Sequence, residues 1–285
     1  MLKPAYLIGG KPPELKLTSG RAFIESEAKL YWSRLYAYNL SANWKAVVEY
    51  DGSAAKRVQA NPIDGTVHFA TGIPIPIELG MMLGDCVRAL RSALDYLISK
   101  MARDVGLADN NMVFPFASKR ESLEASFNPP KPGDQHRKAR RAGALYDLSG
   151  HYPKLQEVIL DRIQPYDAAD GASALGDMLR RVVTADNVDK HRIIMPSASI
   201  LNTKRLRTGG ITFYDIGFIG NHRLPIKSDT DYEGTATADM LFQEPTLLAG
   251  KPILRTLVEA ADFVEEVIGI FEREFFFSDP TVPIE

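Results

Sequence analysis

Between Glu78 and Asp104, seven residues (Leu79, Leu83, Cys86, Leu90, Leu94, Leu97 and Met101) recur in steps of three and four. That is the period of one face of an α-helix. The opposite face carries Asp85, Arg88, Ser92, Asp95 and Ser99 at the same spacing, with Arg91 beside them. Such a helix belongs to a core on one side and to polar contacts on the other. At 285 residues, 45% hydrophobic and 25% charged, the chain has the composition of a folded protein that buries a core of its own.

The remaining pattern alternates between helix and strand. Thr18 or Ser19 can cap a helix running to about Ser41, with Ile24, Ala28, Tyr31, Leu35 and Tyr38 as its apolar stripe, widened by Trp32 and Tyr36. Lys45 to Tyr50, Ala55 to Ala60 and Thr66 to Ala70 have strand character. They are separated by Asp51-Gly52 and by Asn61 to Gly65, so they predict an antiparallel meander. A short helix is expected over Ser118 to Phe127, and two more over Pro153 to Gln164 and, capped by Ser173, over Ala174 to Lys190. A second meander follows over Arg192 to Leu201, Arg205 to Arg207, Ile211 to Ile219 and Thr235 to Phe242. The last helix spans Pro252 to Phe276, with Ile253, Leu257, Ala261, Val264, Ile268, Phe271 and Phe275 on one stripe. No linker of domain-boundary composition interrupts this order. The expected fold is therefore a single α+β domain over residues 1–285, a helical bundle packed with antiparallel β-sheet. Residues 129–150 form a mobile insertion and residues 278–285 a loose tail.

Charge and cysteine content limit the setting. Lys and Arg number 34 against 36 Asp and Glu, a net charge of −2, so nothing draws the whole molecule to nucleic acid or anionic lipid and a polyanion site has to be local. Such a patch is offered by His136 to Arg141, where Arg137, Lys138, Arg140 and Arg141 could engage phosphate. One cysteine, Cys86, cannot form an internal disulfide and sits within an apolar stripe, which suits a reducing compartment. No signal-like apolar stretch opens the chain, and no run long enough to cross a membrane occurs in it. The expected location is the cytoplasm.

Familiar catalytic signatures are absent: there is no GxxxxGK[ST], GxGxxG after a strand, HExxH or GxSxG, and the 5 histidines have no ligand spacing. No metal site and no cofactor are implied. The informative stretch is Asn187-Val188-Asp189-Lys190-His191-Arg192. Stepping back from Asp189 gives Ala185, Val182, Met178 and Leu175, so an apolar stripe ends in a carboxylate that should point inward and needs a cation. Arg91 is the expected partner across the helices. Asp95 would meet His191 or Arg192, with Lys190 alongside and Gln164 and Tyr166 at the edge of the cluster.

The segments LRSALDYL (Leu90 to Leu97), VFPF (Val113 to Phe116), IQPY (Ile163 to Tyr166) and NVDKHR (Asn187 to Arg192) together resemble a widespread family of uncharacterised bacterial proteins, over about 100 residues in the middle of the chain. The resemblance implies kinship and fold but no activity. The chain is also distantly similar to HEPN domains, helical modules of bacterial defence systems. Many of these are metal-independent ribonucleases, marked by an arginine followed by a histidine four to six residues later. Here the corresponding stretch runs from Arg91 to Tyr96, with tyrosine in the place of histidine.

Three readings follow. In the first, the chain is a cytoplasmic binding protein using the cluster of Arg91, Asp95, Asp189, His191 and Arg192, with RNA or a protein as partner and a homodimer as one form of assembly. In the second it is a HEPN-like ribonuclease, in which Arg91 and Arg192 hold phosphate and His191 moves protons. In the third the cluster is architectural and an exposed surface engages the partner.

Overall fold

A computed structural model describes residues 3–4, 7–15, 22–50, 58–61, 66–69, 75–109, 112–129, 137–190, 197–198, 200–208, 211–219, 222–225, 231–233, 237–243 and 245–276. Its helices are α1 (Ile24–Tyr50), α2 (Ile77–Asp104), α3 (Arg120–Glu124), α4 (Arg137–His151), α5 (Leu155–Glu157), α6 (Ala174–Asp189) and α7 (Ile253–Phe275). A 3₁₀ turn, Ala125–Phe127, follows α3, a π-helix, Val158–Ile163, continues α5, and a further 3₁₀ turn spans Ala168–Asp170.

This architecture corrects the expected α+β fold. Of the residues whose side-chain surroundings are described, 69% are helical, and they hold one short strand and no sheet. The core described is accordingly helix packed on helix, not a bundle laid on antiparallel sheet. Other strands enter as backbone pairings, among them Val58–Asn61 with Thr66–Phe69 and Ile200–Thr208 with Ile211–Ile219, both antiparallel.

Contacts group the chain into two compact units. One comprises residues 1–12, 36–84 and 191–257, the other residues 13–35, 85–190 and 258–285. In the first unit Trp44, Val48, Leu79, Leu83, Phe242, Leu248 and Leu254 are buried. Ser41 Oγ accepts the Ile8 amide at 2.9 Å, and Phe242 and Lys251 close a short loop through Phe242 N to Lys251 O at 3.1 Å.

The second unit is a helical assembly around α2. The Cys86 thiol meets both the hydroxyl and the carbonyl of Ser33 at 3.3 Å, a contact that only small side chains permit. Phe23, Phe114 and Phe271 form a ring cluster in which Phe271 lies 6.3 Å edge-on from Phe23 and 6.0 Å from Phe114. These rings are buried, as are Leu90, Leu94 and Leu97 of α2 and Leu175, Leu179 and Val182 of α6. Ion pairs hold the rim: Arg34 to Asp262 at 3.0 Å and to Glu265 at 2.7 Å.

Two local expectations fail for physical reasons. Lys45 to Tyr50 are not a strand but the last turns of α1. Trp44 and Val48, 0% and 2% exposed, prolong a stripe already running through Phe23, Leu30, Ala37 and Leu40, and this helical period outweighs the strand propensity of two adjacent valines. That stripe is also a different face from the one expected. Ile24 and Trp32 are 42% and 47% exposed, whereas Ser26, Ser33 and Ser41 are buried. Small residues let neighbouring helices approach, and the large rings lie along the flank with part of their surface in water.

The expected caps of α1, Thr18 and Ser19, lie outside the described residues, as does the tail from residue 277. Within the expected insertion, α4 begins at Arg137, and residues 130–136 lie outside the description.

Candidate functional site

Of the residues singled out above, the polar face of α2 carries Arg91 and Asp95. Arg91 and Asp95 are one helical turn apart and pair with each other: Arg91 Nε donates to Asp95 Oδ2 at 2.9 Å, and Nη2 lies 2.9 Å from Oδ1. The same Nη2 donates to the carbonyl of Phe114 at 3.3 Å, and Asp95 Oδ1 accepts the amide of Phe114 at 2.9 Å. One turn further on, Ser99 Oγ donates to the carbonyl of Met112 at 3.1 Å. The guanidinium carbon sits 4.5 Å from the centre of the Phe116 ring, within the range of a cation–π contact. Arg91, 13% exposed at its side chain, is thus engaged by a carboxylate, a carbonyl and a ring at once.

The VFPF segment held in this way lies beside QPY. Ala117 N donates to Pro165 O, and Asp167 N to Ser118 O, each at 3.3 Å. Arg180 of α6 ties the two together, donating to Ala117 O at 3.1 Å and lying 3.4 Å from Asp167.

Gln164 adopts a left-handed backbone, φ 59°, which ends the π-helix and turns the chain toward α6. Its side-chain oxygen accepts the Ser173 amide at 2.9 Å, while Ser173 Oγ caps α6 by accepting Gly176 N at 3.1 Å. Gly176 packs so closely on this turn that a Cβ would stand 1.8 Å from Gln164 O. Tyr166 is buried at 2% exposure. Arg120 donates to Asp161 at 2.6 Å and to Leu160 O at 2.9 Å, and its pKa is raised, first by Asp161 and then by Tyr166. Gln164 and Tyr166 therefore belong to the joint between the π-helix and α6.

The end of α6 is arranged differently from expectation. Asp189 meets Arg88 rather than Arg91, at 2.9 Å, with the carboxylate side chain 8% exposed and the guanidinium 52% exposed. Arg91 is already committed to Asp95, and Arg88 lies on the preceding turn of α2. The more deeply buried acid is Asp186, 1% exposed. Its Oδ2 pairs with Lys190 Nζ at 2.5 Å, and its Oδ1 has no hydrogen-bond partner among the described residues.

Arg88 and Asp186 are the two residues the sequence reading missed. Asp186 was legible as the end of a second stripe through Leu175, Leu179 and Val182. Arg88 had no signal beyond its place on the polar face.

His191 and Arg192 lie outside the described residues. Arg137, Lys138, Arg140 and Arg141 fall in the first turns of α4, whose backbone is described there without their side chains. Among the described residues no group of three or more His, Cys, Asp or Glu is placed to hold a metal, and no helix is long and apolar enough to cross a membrane. Compared with family models, curated proteins and solved structures, the chain matches none.

Proposed function

We propose that this chain is a cytoplasmic, non-catalytic binding protein that docks a protein partner at the end of α6. In this reading Arg91 and Asp95 are architectural. The observation that carries it is the state of Asp186: a carboxylate buried to 1% exposure, with one oxygen on Lys190 and the other without a hydrogen-bond partner among the described residues. Buried polar atoms are seldom left without a partner, so such an oxygen marks a place where a donor is expected. Around it the half-exposed Arg88 and Lys190 offset Asp186 and Asp189. This balance of signs suits a protein surface better than a polyanion. His191 and Arg192 follow directly in the chain.

Of the two phosphate holders in the ribonuclease reading, Arg91 and Arg192, the first directs its fork at Asp95 and Phe114, which weighs against that reading. A photoreactive residue in place of the exposed Asn187 tests the proposal in the source cells. A discrete adduct with a protein, lost in Asp186→Ala and retained in Arg91→Lys, supports it. An adduct of twice the chain mass assigns a second copy as that partner. Cleavage of RNA by the purified chain that disappears in His191→Ala overturns the non-catalytic reading, and an adduct with RNA alone overturns the protein partner.

A further inference from the structure

Along the outward face of α2 the C-terminal half is occupied, because Arg91, Asp95 and Ser99 hold residues 112 to 114. The N-terminal half is open. Ile77 and Met81 are 51% and 56% exposed, Glu78 is exposed beside them, and the side chains of Asp85 and Arg88 are 50% and 52% exposed. Between Leu79 and Leu90 the other residues are buried, apart from a half-buried Met82. Ile77, Met81, Asp85 and Arg88 therefore form one narrow strip, following one another at helical intervals over about 16 Å.

A single apolar side chain in water is ordinary. Here two large ones stand a turn apart and run into a charged end, the arrangement of an apolar interface centre with a polar rim. The charge of the strip is one-sided. Glu78, Asp85 and Asp189 stand against Arg88, while Asp186 is matched by Lys190, so carboxylates outnumber cations by four to two.

We propose that the protein partner lays a basic amphipathic helix along this strip. Its apolar side chains cover Ile77 and Met81, and the lysines or arginines that flank them meet Glu78 and Asp85. Side chains four apart on a helix form the ridge against which a second helix packs, and such a helix reaches its groove through anchors one turn apart. The flexible Met81 side chain adapts to whichever apolar residue faces it, and the excess of carboxylates selects the cationic partner. This inference rests on the docking reading above and names the chemistry of the partner.

Two measurements on the full chain test it. In the first, a synthetic amphipathic helix of leucine and lysine, about four turns long, is titrated into the protein beside a counterpart with glutamate in place of lysine. The lysine helix is expected to bind and the glutamate helix not to. Met81→Ser should weaken binding at least about tenfold without moving the melting temperature, since the side chain is more than half exposed. Leu247→Ser, at an exposed leucine outside α2, should leave binding unchanged. No binding of the lysine helix, equal binding of the glutamate helix, or an equal loss in Leu247→Ser overturns the inference. In the second, Met81→Ser is combined with the photoreactive residue at Asn187, and the adduct is expected to fall. An undiminished adduct overturns this inference alone, whereas no adduct in the chain with Met81 intact overturns the docking reading and this inference with it.

Discussion

Replacing Asp95 by alanine removes two things at once: the fork partner of Arg91 and the acceptor of the Phe114 amide. The amide belongs to a residue 1% exposed, and an unsatisfied buried donor costs about 1–3 kcal/mol. Loss of the ion pair, with Arg91 13% and Asp95 29% exposed at their side chains, adds about 1 kcal/mol after allowance for the water that reaches it. Together Asp95→Ala should destabilise by about 2–4 kcal/mol.

Chemical denaturation followed by the near-ultraviolet signal of the aromatic cluster measures this. Hydrogen exchange of the peptide containing Phe114 localises it, with protection of that amide lost ahead of the rest. A double-mutant cycle with Arg91→Ala separates the terms. Coupling between residues 91 and 95 should exceed about 1 kcal/mol, because the pair and the amide form one network, while the Arg88–Asp189 pair, whose guanidinium is 52% exposed, should couple by less than about 1 kcal/mol. Additive effects at 91 and 95, or unaltered exchange at Phe114, would refute the view that these side chains hold the segment.

Three further perturbations follow from the same structure. Gly176→Ala sets a methyl 1.8 Å from Gln164 O; with backbone on both sides it should cost about 3 kcal/mol or more by denaturation, well above an ordinary helical glycine replacement. Asp239 is 5% exposed and burial pushes its carboxyl up to about 6, against a weaker lowering by the Met240 amide. Because the folded state holds that proton more tightly than the unfolded chain, its contribution makes stability fall as pH rises from about 4 to 6. Asp239→Asn should flatten this segment of the stability–pH curve and raise stability at neutral pH by about 1–3 kcal/mol. Trp44→Ala should cost about 3–5 kcal/mol and Trp32→Ala far less, since the first is 0% and the second 47% exposed; similar losses would contradict the assigned face of α1.

How far the fold could be read in advance depended on how each helix makes its contacts. For α2, α6 and α7, large apolar residues dominate the buried stripe, and their spacing located these helices to within a residue or two. In α1 the contact face is built partly of serine and alanine, which carry no hydrophobic signal, while its rings sit on the flank, so periodicity of bulk pointed to the wrong side.

The polar residues were legible as a set and not as pairs. Arg91, Asp95, Asp189, Gln164 and Tyr166 all take specific contacts, yet Asp189 meets Arg88, and Arg91 meets the neighbour four residues on. The i,i+4 order with arginine first is the weaker one for an isolated helix, but the Phe114 amide and carbonyl reinforce it here, and no helical rule contains a loop. Turn geometry was hidden for a similar reason: the left-handed Gln164 and the tight fit at Gly176 come from tertiary closeness, not from local preference.

The row of Arg91, Asp95 and Ser99 gives α2 an unusual duty. Spaced one turn apart, their heads answer the amide and carbonyls of residues 112 to 114 much as an adjoining strand would. The extended segment is therefore steered by a helix's side chains and needs no ladder of its own. Its register follows from the turn-by-turn spacing of those three side chains along α2.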